Sequence, residues 1–223
     1  MKKSFLTFFL LFVLAGAFAQ DYTAVKDKSS EDEIRTLFKK PSKEIQAGWF
    51  VGLNSAYTQF DKKDVWLLGI STGAVLNHNW NLGLTLNGIV NSHYLEYQKI
   101  IDNQDANLVG GYGGFLVEYT VAPKSPVHVT FPLQIGAGYL GYLSDNGYHW
   151  DGNGYWYYDS ETLAYDVFFF VEPGVKAEFN LLKFMRLEAG VSYRYSPNLE
   201  LDCQKDDFVN QFTGIIGLKF GKF

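Results

Sequence analysis

Polar and apolar residues alternate along this chain from Ala47 onward, and the apolar phase carries no charge until Lys222. Successive side chains of a β-strand point to opposite sides, so a period of two predicts strands with one apolar and one polar face. Eight such segments follow one another. Their apolar faces read Trp49, Val51, Leu53, Tyr57 in the first and Trp66, Leu68, Ile70, Ala74, Leu76 in the second. The third has Leu82, Leu84, Leu86 and Val90, opposed by Asn81, Gly83, Thr85, Asn87 and Asn91. Val109, Phe115, Val117 and Tyr119 mark the fourth, and Val127 through Tyr139 the fifth. The sixth runs from Tyr165 to Phe179, the seventh from Met185 to Tyr195, and the eighth from Phe208 to Phe220.

Polar breaks separate the segments. Residues 61–64, 77–79, 122–126 and 180–183 make short turns, whereas 93–107, 144–162 and 197–206 make long loops. Apart from the first connection, short and long connections alternate, which is the habit of outer-membrane barrels. Pro132 and Pro173 fall inside strands; a proline removes a ladder hydrogen bond, so a bulge or irregular pairing is expected at each.

A charge-free face must meet either a protein core or lipid. The opposite face favours lipid. It holds Gly69, Ser71, Gly73, Gly83, Thr85, Gly136, Gly138 and Gly190, small residues that suit the narrow interior of eight strands. Aromatic residues of the apolar phase fall into two groups. Trp49, Tyr119, Phe179 and Phe220 lie near the short turns; Tyr57, Trp66, Tyr94, Tyr139, Tyr165, Tyr193 and Phe208 lie near the long loops. Two girdles one strand-length apart match the two interfaces of a bilayer. Residues 47–223 thus resemble the small eight-stranded outer-membrane barrels of the OmpA/OmpX type. Phe223 resembles the terminal aromatic of the signal read by the barrel-insertion machinery, although it is out of phase with Ile216, Leu218 and Phe220. The expected fold is an all-β, antiparallel, up-and-down transmembrane β-barrel of about eight strands. Outer-membrane lipids and the insertion machinery are its implied partners.

Residues 1–19 read as a cleaved signal peptide: Lys2 and Lys3, an apolar stretch, then Ala17-Phe18-Ala19. Residues 20–46 read as a periplasmic N-terminal segment. Ser30 and Glu33 have the spacing of a helix capping box, and Ile34, Leu37 and Phe38 follow at helical spacing before Pro41. A short helix and an unstructured leader both fit. The composition agrees with a β-rich fold, with 17% aromatic residues and 22 glycines. The formal charge of −5 shows no basic patch, which excludes nucleic acid as an expected partner. The single Cys203 cannot form an internal disulfide.

Three groups of residues are candidates for function. The inward phase holds Glu118, Asp166, Glu172, Lys176, Glu178, Arg186, Glu188, Arg194 and Lys219. Buried charges must be paired, so a lumen salt-bridge network is expected, with Glu178 beside Arg186. A gated polar pathway is the alternative. Tyr148, Trp150, Tyr155, Trp156 and Tyr157 crowd the longest loop around Asp151-Gly152-Asn153-Gly154, a tight-turn signal. They read as a hairpin above the membrane and as a surface for an extracellular or envelope protein partner. His128-Val129-Thr130 loosely resembles the H-x-S of lipid A deacylases, with Thr for Ser and an inward phase. No His/Cys set has metal-ligand spacing, and no cofactor is expected. The leading function is a non-enzymatic outer-membrane barrel of Gram-negative type, structural or binding. The alternatives are a subunit of an envelope assembly docking through residues 20–46, and a lipid-modifying enzyme.

Overall fold

The computed structural model describes residues 46–223 except 102–103, 151–155, 198, 203 and 206, and leaves the side chains of 99, 145–150 and 156–159 undescribed. The signal peptide, the N-terminal segment except Gln46, Cys203 and Tyr155 therefore lie outside the described residues.

Nine strands follow in chain order: β1 (Ala47–Phe60), β2 (Lys63–Leu76), β3 (Trp80–Ile89), β4 (Glu96–Ile101), β5 (Gln104–Val121), β6 (Val127–Trp150), β7 (Trp156–Leu182), β8 (Met185–Tyr193) and β9 (Phe212–Lys222). All pairings are antiparallel, and each strand of the main ring pairs with its neighbours in sequence. β1 pairs with β9, and β3 pairs with β5 across β4. Eight strands thereby close into a ring, and β4 stays outside it as a hairpin on β5. Closure leaves no free edge within the ring, the condition for strands to cross a bilayer. This is a transmembrane β-barrel. Among the described residues no helix is long and apolar enough to cross a membrane.

The alternating phase sorts as the period-two pattern predicts. Leu53, Leu68, Ile70, Leu86, Phe115, Ile135, Phe169 and Ile216 are exposed on the outside. Glu118, Glu172, Glu178 and Lys219 lie inside. Aromatic pairs band the outer surface, with Tyr57 against Trp66 (5.4 Å), Trp80 against Tyr119 (4.8 Å) and Tyr139 stacked on Tyr165 (5.7 Å).

Two of the expectations above need correction, at 93–107 and at Phe208, and two are met. The segment 93–107 is not a plain loop: β4 and the start of β5 form a hairpin at the loop end. Residues 144–162 form the hairpin that their turn signal predicts, with β6 and β7 paired out to Trp150↔Trp156. β6 has 24 residues and β7 has 27, whereas ~9–11 suffice to cross a bilayer. The hairpin therefore stands well clear of the membrane. Pairing is irregular at Pro132 and Pro173, as expected, without a shift of register. Between β6 and β7 the ladder skips Phe131/Val175 and Pro132/Gly174, with the same register on either side, Thr130↔Lys176 and Leu133↔Pro173; between β7 and β8 it stops at Gly174↔Ser192 and resumes only in the isolated bridge Val171↔Tyr195. The register shifts fall elsewhere, at Tyr142/Leu143 and Asp145/Gly147. Phe208 does not begin the last strand on the lipid face. It sits in a turn before β9, is buried, and packs edge-on against Phe60 at 5.8 Å.

Candidate functional site: a two-part interior

The charged residues gather in the half of the interior nearest the short turns, where β1 begins and β9 ends. Glu178 and Glu188 are directly opposite each other on β7 and β8. Like charges so placed repel. Cations between them remove the conflict. Lys219 Nζ, from β9, lies 2.9 Å from Glu178, 3.3 Å from Glu188 and 2.7 Å from Glu118 on β5. Lys176 Nζ bridges Glu118 at 2.7 Å and Glu188 at 3.0 Å. Arg186 Nη1 lies 3.3 Å from Glu178, and Asn81 Nδ2 donates to Glu118 at 2.8 Å. Three carboxylates thus meet three cations on four strands. Gly190 is the register partner of Lys176, and a Cβ there would run into the lysine backbone and stem. The glycine makes room for the long side chain.

A second group lies higher. Arg194 Nε meets Glu172 at 2.9 Å, Ser192 donates to the same carboxylate, and the guanidinium stacks on Tyr112 at 3.9 Å. Asp166 joins neither group. Its Oδ1 accepts the Val167 N–H and its Oδ2 the Glu200 N–H, both at 2.7 Å, so it ties the β8–β9 connection to the edge of β7. It faces the rim rather than the lattice. Eight of the nine inward charges therefore come together, and Asp166 does not.

The carboxylates of Glu118, Glu178 and Glu188 are close enough to hold a metal ion. Lys219 Nζ already reaches oxygens of all three, so the cation's place is filled by an ammonium.

His128 is buried at the same level. Its Nε2 lies 3.0 Å from Glu178 and its Nδ1 3.2 Å from the Ser125 carbonyl. Thr130 pairs with the Thr120 hydroxyl at 3.0 Å. The two residues of the H-x-T segment are thus engaged with other partners, inside the barrel and away from lipid.

The loop-end half of the interior is apolar, which sequence reasoning missed. Phe60, Val65, Leu67, Leu108, Tyr112, Leu140, Tyr142, Phe168 and Phe170 fill it in the inward phase. Leu95 and Tyr97 from the β4 hairpin and Leu199, Leu201, Phe208 and Val209 from the β8–β9 connection close over them. Gln204 donates to the Tyr142 hydroxyl at 2.7 Å, and Lys63 lies 4.1 Å over the Tyr97 ring while donating to the Glu96 carbonyl. Burial, and then the nearby Asp61, push the Tyr97 phenol up to about 12. Between the two halves a cavity of about 20 Å³ remains, lined by Tyr112, Gln134, Glu172 and Thr213 among others. That is room for one water.

Of the aromatic loop candidates, Tyr148, Trp150, Trp156 and Tyr157 have their backbones in the protruding hairpin, Tyr148↔Tyr158 and Trp150↔Trp156 being paired.

The architecture has relatives among solved structures. Neisserial surface protein A superposes with a TM-score of 0.52 at 13% identity, covering 81% of this chain and 100% of that one. The fold is that of the small eight-stranded outer-membrane barrels. Two further barrels align with lower TM-scores: the N-terminal barrel of Pseudomonas aeruginosa OprF (0.37, 10% identity, 77% of this chain and 96% of that one) and Yersinia pestis Ail with the heparin analogue sucrose octasulfate (0.38, 13% identity, 80% and 99%). No protein-family model matches the chain, and comparison with curated proteins gives no match.

Proposed function

We propose that the protein is a closed outer-membrane barrel whose function lies in its ends rather than in a pore. One observation carries this reading: the interior is packed along its length, by ion pairs in one half and by aromatic and aliphatic side chains in the other. An open porin needs many more strands to leave an aqueous channel. The chain termini would face the periplasm and the long loops the outside.

The loop end supports a binding role. Segments 61–64, 91–107, 144–166 and 195–211 carry fourteen acidic residues against four basic ones. The hairpin rising from that acidic surface carries Tyr148, Trp150, Trp156 and Tyr157, residue types that dominate binding hot spots. A basic or neutral partner fits such a face. A sulfated ligand of the kind named with Ail would be repelled. The positions of His128 and Thr130, engaged with other partners inside the barrel, speak for a non-enzymatic role.

Planar-bilayer recording tests the closed interior. The purified barrel should insert without unitary conductance, and a stable open channel would overturn the reading. Amine labelling of intact cells tests the orientation: Lys205 should react and Lys124 should not.

A further inference from the structure

The charged side chains of the turns at the short-turn end have one sign among the described residues: Lys124 and Lys183, with Lys222 nearby at the end of β9 and no acidic residue in those turns. A concave mouth of about 670 Å³ opens between the β5–β6 and β7–β8 turns, lined by Lys124, Lys183, Arg186, Pro123, Leu182 and Phe223, among others. Arg186 is only 3% exposed. Its Nη1 is given to Glu178 and its guanidinium lies 3.7 Å over the Phe223 ring, yet its Nε has no partner among the described residues. Two exposed lysines lining a concave mouth with a buried guanidinium in its wall are suited to an oxyanion.

The walls narrow the choice of ligand. Leu181, Leu182 and Phe184 flank Lys183 and are each about half exposed. A free inorganic anion has no use for an apolar wall. A ligand with an anionic head and an apolar body uses both surfaces, and the volume lies within the range of ordinary ligand sites.

We propose that this mouth binds the phosphate of an anionic phospholipid headgroup, with the acyl chains running past the β7–β8 turn. The proposal goes beyond the function above and shares with it only the membrane setting.

Native mass spectrometry of the full chain in nonionic detergent tests it, with phosphatidylglycerol, phosphatidylcholine and inorganic phosphate as probes. Phosphatidylglycerol should be retained one to one in preference to phosphatidylcholine. Retention should fall about tenfold in K124E/K183E and also fall in K124Q/K183Q, but stay unchanged in K205E at the far end. In the native protein it should weaken at ~1 M salt, where the screening length is about 3 Å. Equal retention of the two lipids, or no loss with salt, would overturn the proposal. Binding of inorganic phosphate without retention of phosphatidylglycerol would overturn the lipid assignment. Failure here with a non-conducting, correctly oriented barrel would leave the proposed function standing.

Discussion

At the short-turn end of the interior, six side chains from β5, β7, β8 and β9 share three negative and three positive charges. One barrel-half away, the inward positions of β1, β2, β5, β6 and β7 carry uncharged rings and branched chains. Both arrangements exclude water from a space too narrow for a channel. They differ in how they fail. An ion lattice is satisfied only as a whole, because each Lys or Glu removed strands its partners in a low-dielectric interior. An apolar plug degrades in proportion to the volume removed. The difference also sorts the ends of the molecule. The apolar half is built partly from loop residues such as Leu199, Leu201 and Phe208, so folding of the outer loops and packing of the interior are one process. The charged half is made by strands alone, with the exception of the turn carbonyl at Ser125 that meets His128.

The contrast can be broken by substitution, with stability read from denaturant unfolding in lipid or detergent. Lys219→Met leaves three carboxylates short of their shared cation and should cost ~3–5 kcal/mol. Leu140→Ala, in the apolar half, should cost about 3 kcal/mol. If Lys219→Met proved the milder change, the charged half would not be a single cooperative unit. A smaller effect is expected at Gly138, where an added Cβ would run into the Phe168 ring; Gly138→Ala should cost about 2 kcal/mol through overpacking. Smallest of all should be E172M/R194M, which replaces an isolated buried pair by two apolar chains and should change stability by no more than about 1 kcal/mol. A large loss in that double variant would show that the Glu172–Arg194 pair, with Ser192 and Tyr112, belongs to the main lattice after all.

The two halves were unequally legible in the sequence. Charges are conspicuous in otherwise apolar strands, so the inward phase could be read off at Lys176, Glu178, Arg186 and Glu188. The apolar half was hidden because period two shows a phase only when the two faces differ. In Val167-Phe168-Phe169-Phe170-Val171 both faces are apolar, and nothing in the run itself says that Phe168 and Phe170 turn inward. They are the phase-mates of Glu172 and Lys176, and counting back from those charges could have found them. Phe208 misled for a different reason. It matches the apolar phase of the last strand in number, but the backbone between Asp207 and Asn210 turns, and a turn resets the phase. Asp166 kept the inward phase yet lies beyond the last β7–β8 pairing, so its carboxylate caps backbone N–H groups there.

By itself the sequence determined that the chain forms strands, how many cross the membrane, and which face of each meets lipid. Those properties are local: alternation, turn residues and the exclusion of charge from hydrocarbon act along one strand at a time. Only the tertiary structure decided which charges meet, that Lys219 takes the position a metal ion would need, and that the loop-end half is filled by rings. Those depend on the register between strands far apart in sequence and on how high each inward residue stands in the closed barrel, and neither quantity is written into the period of any single strand.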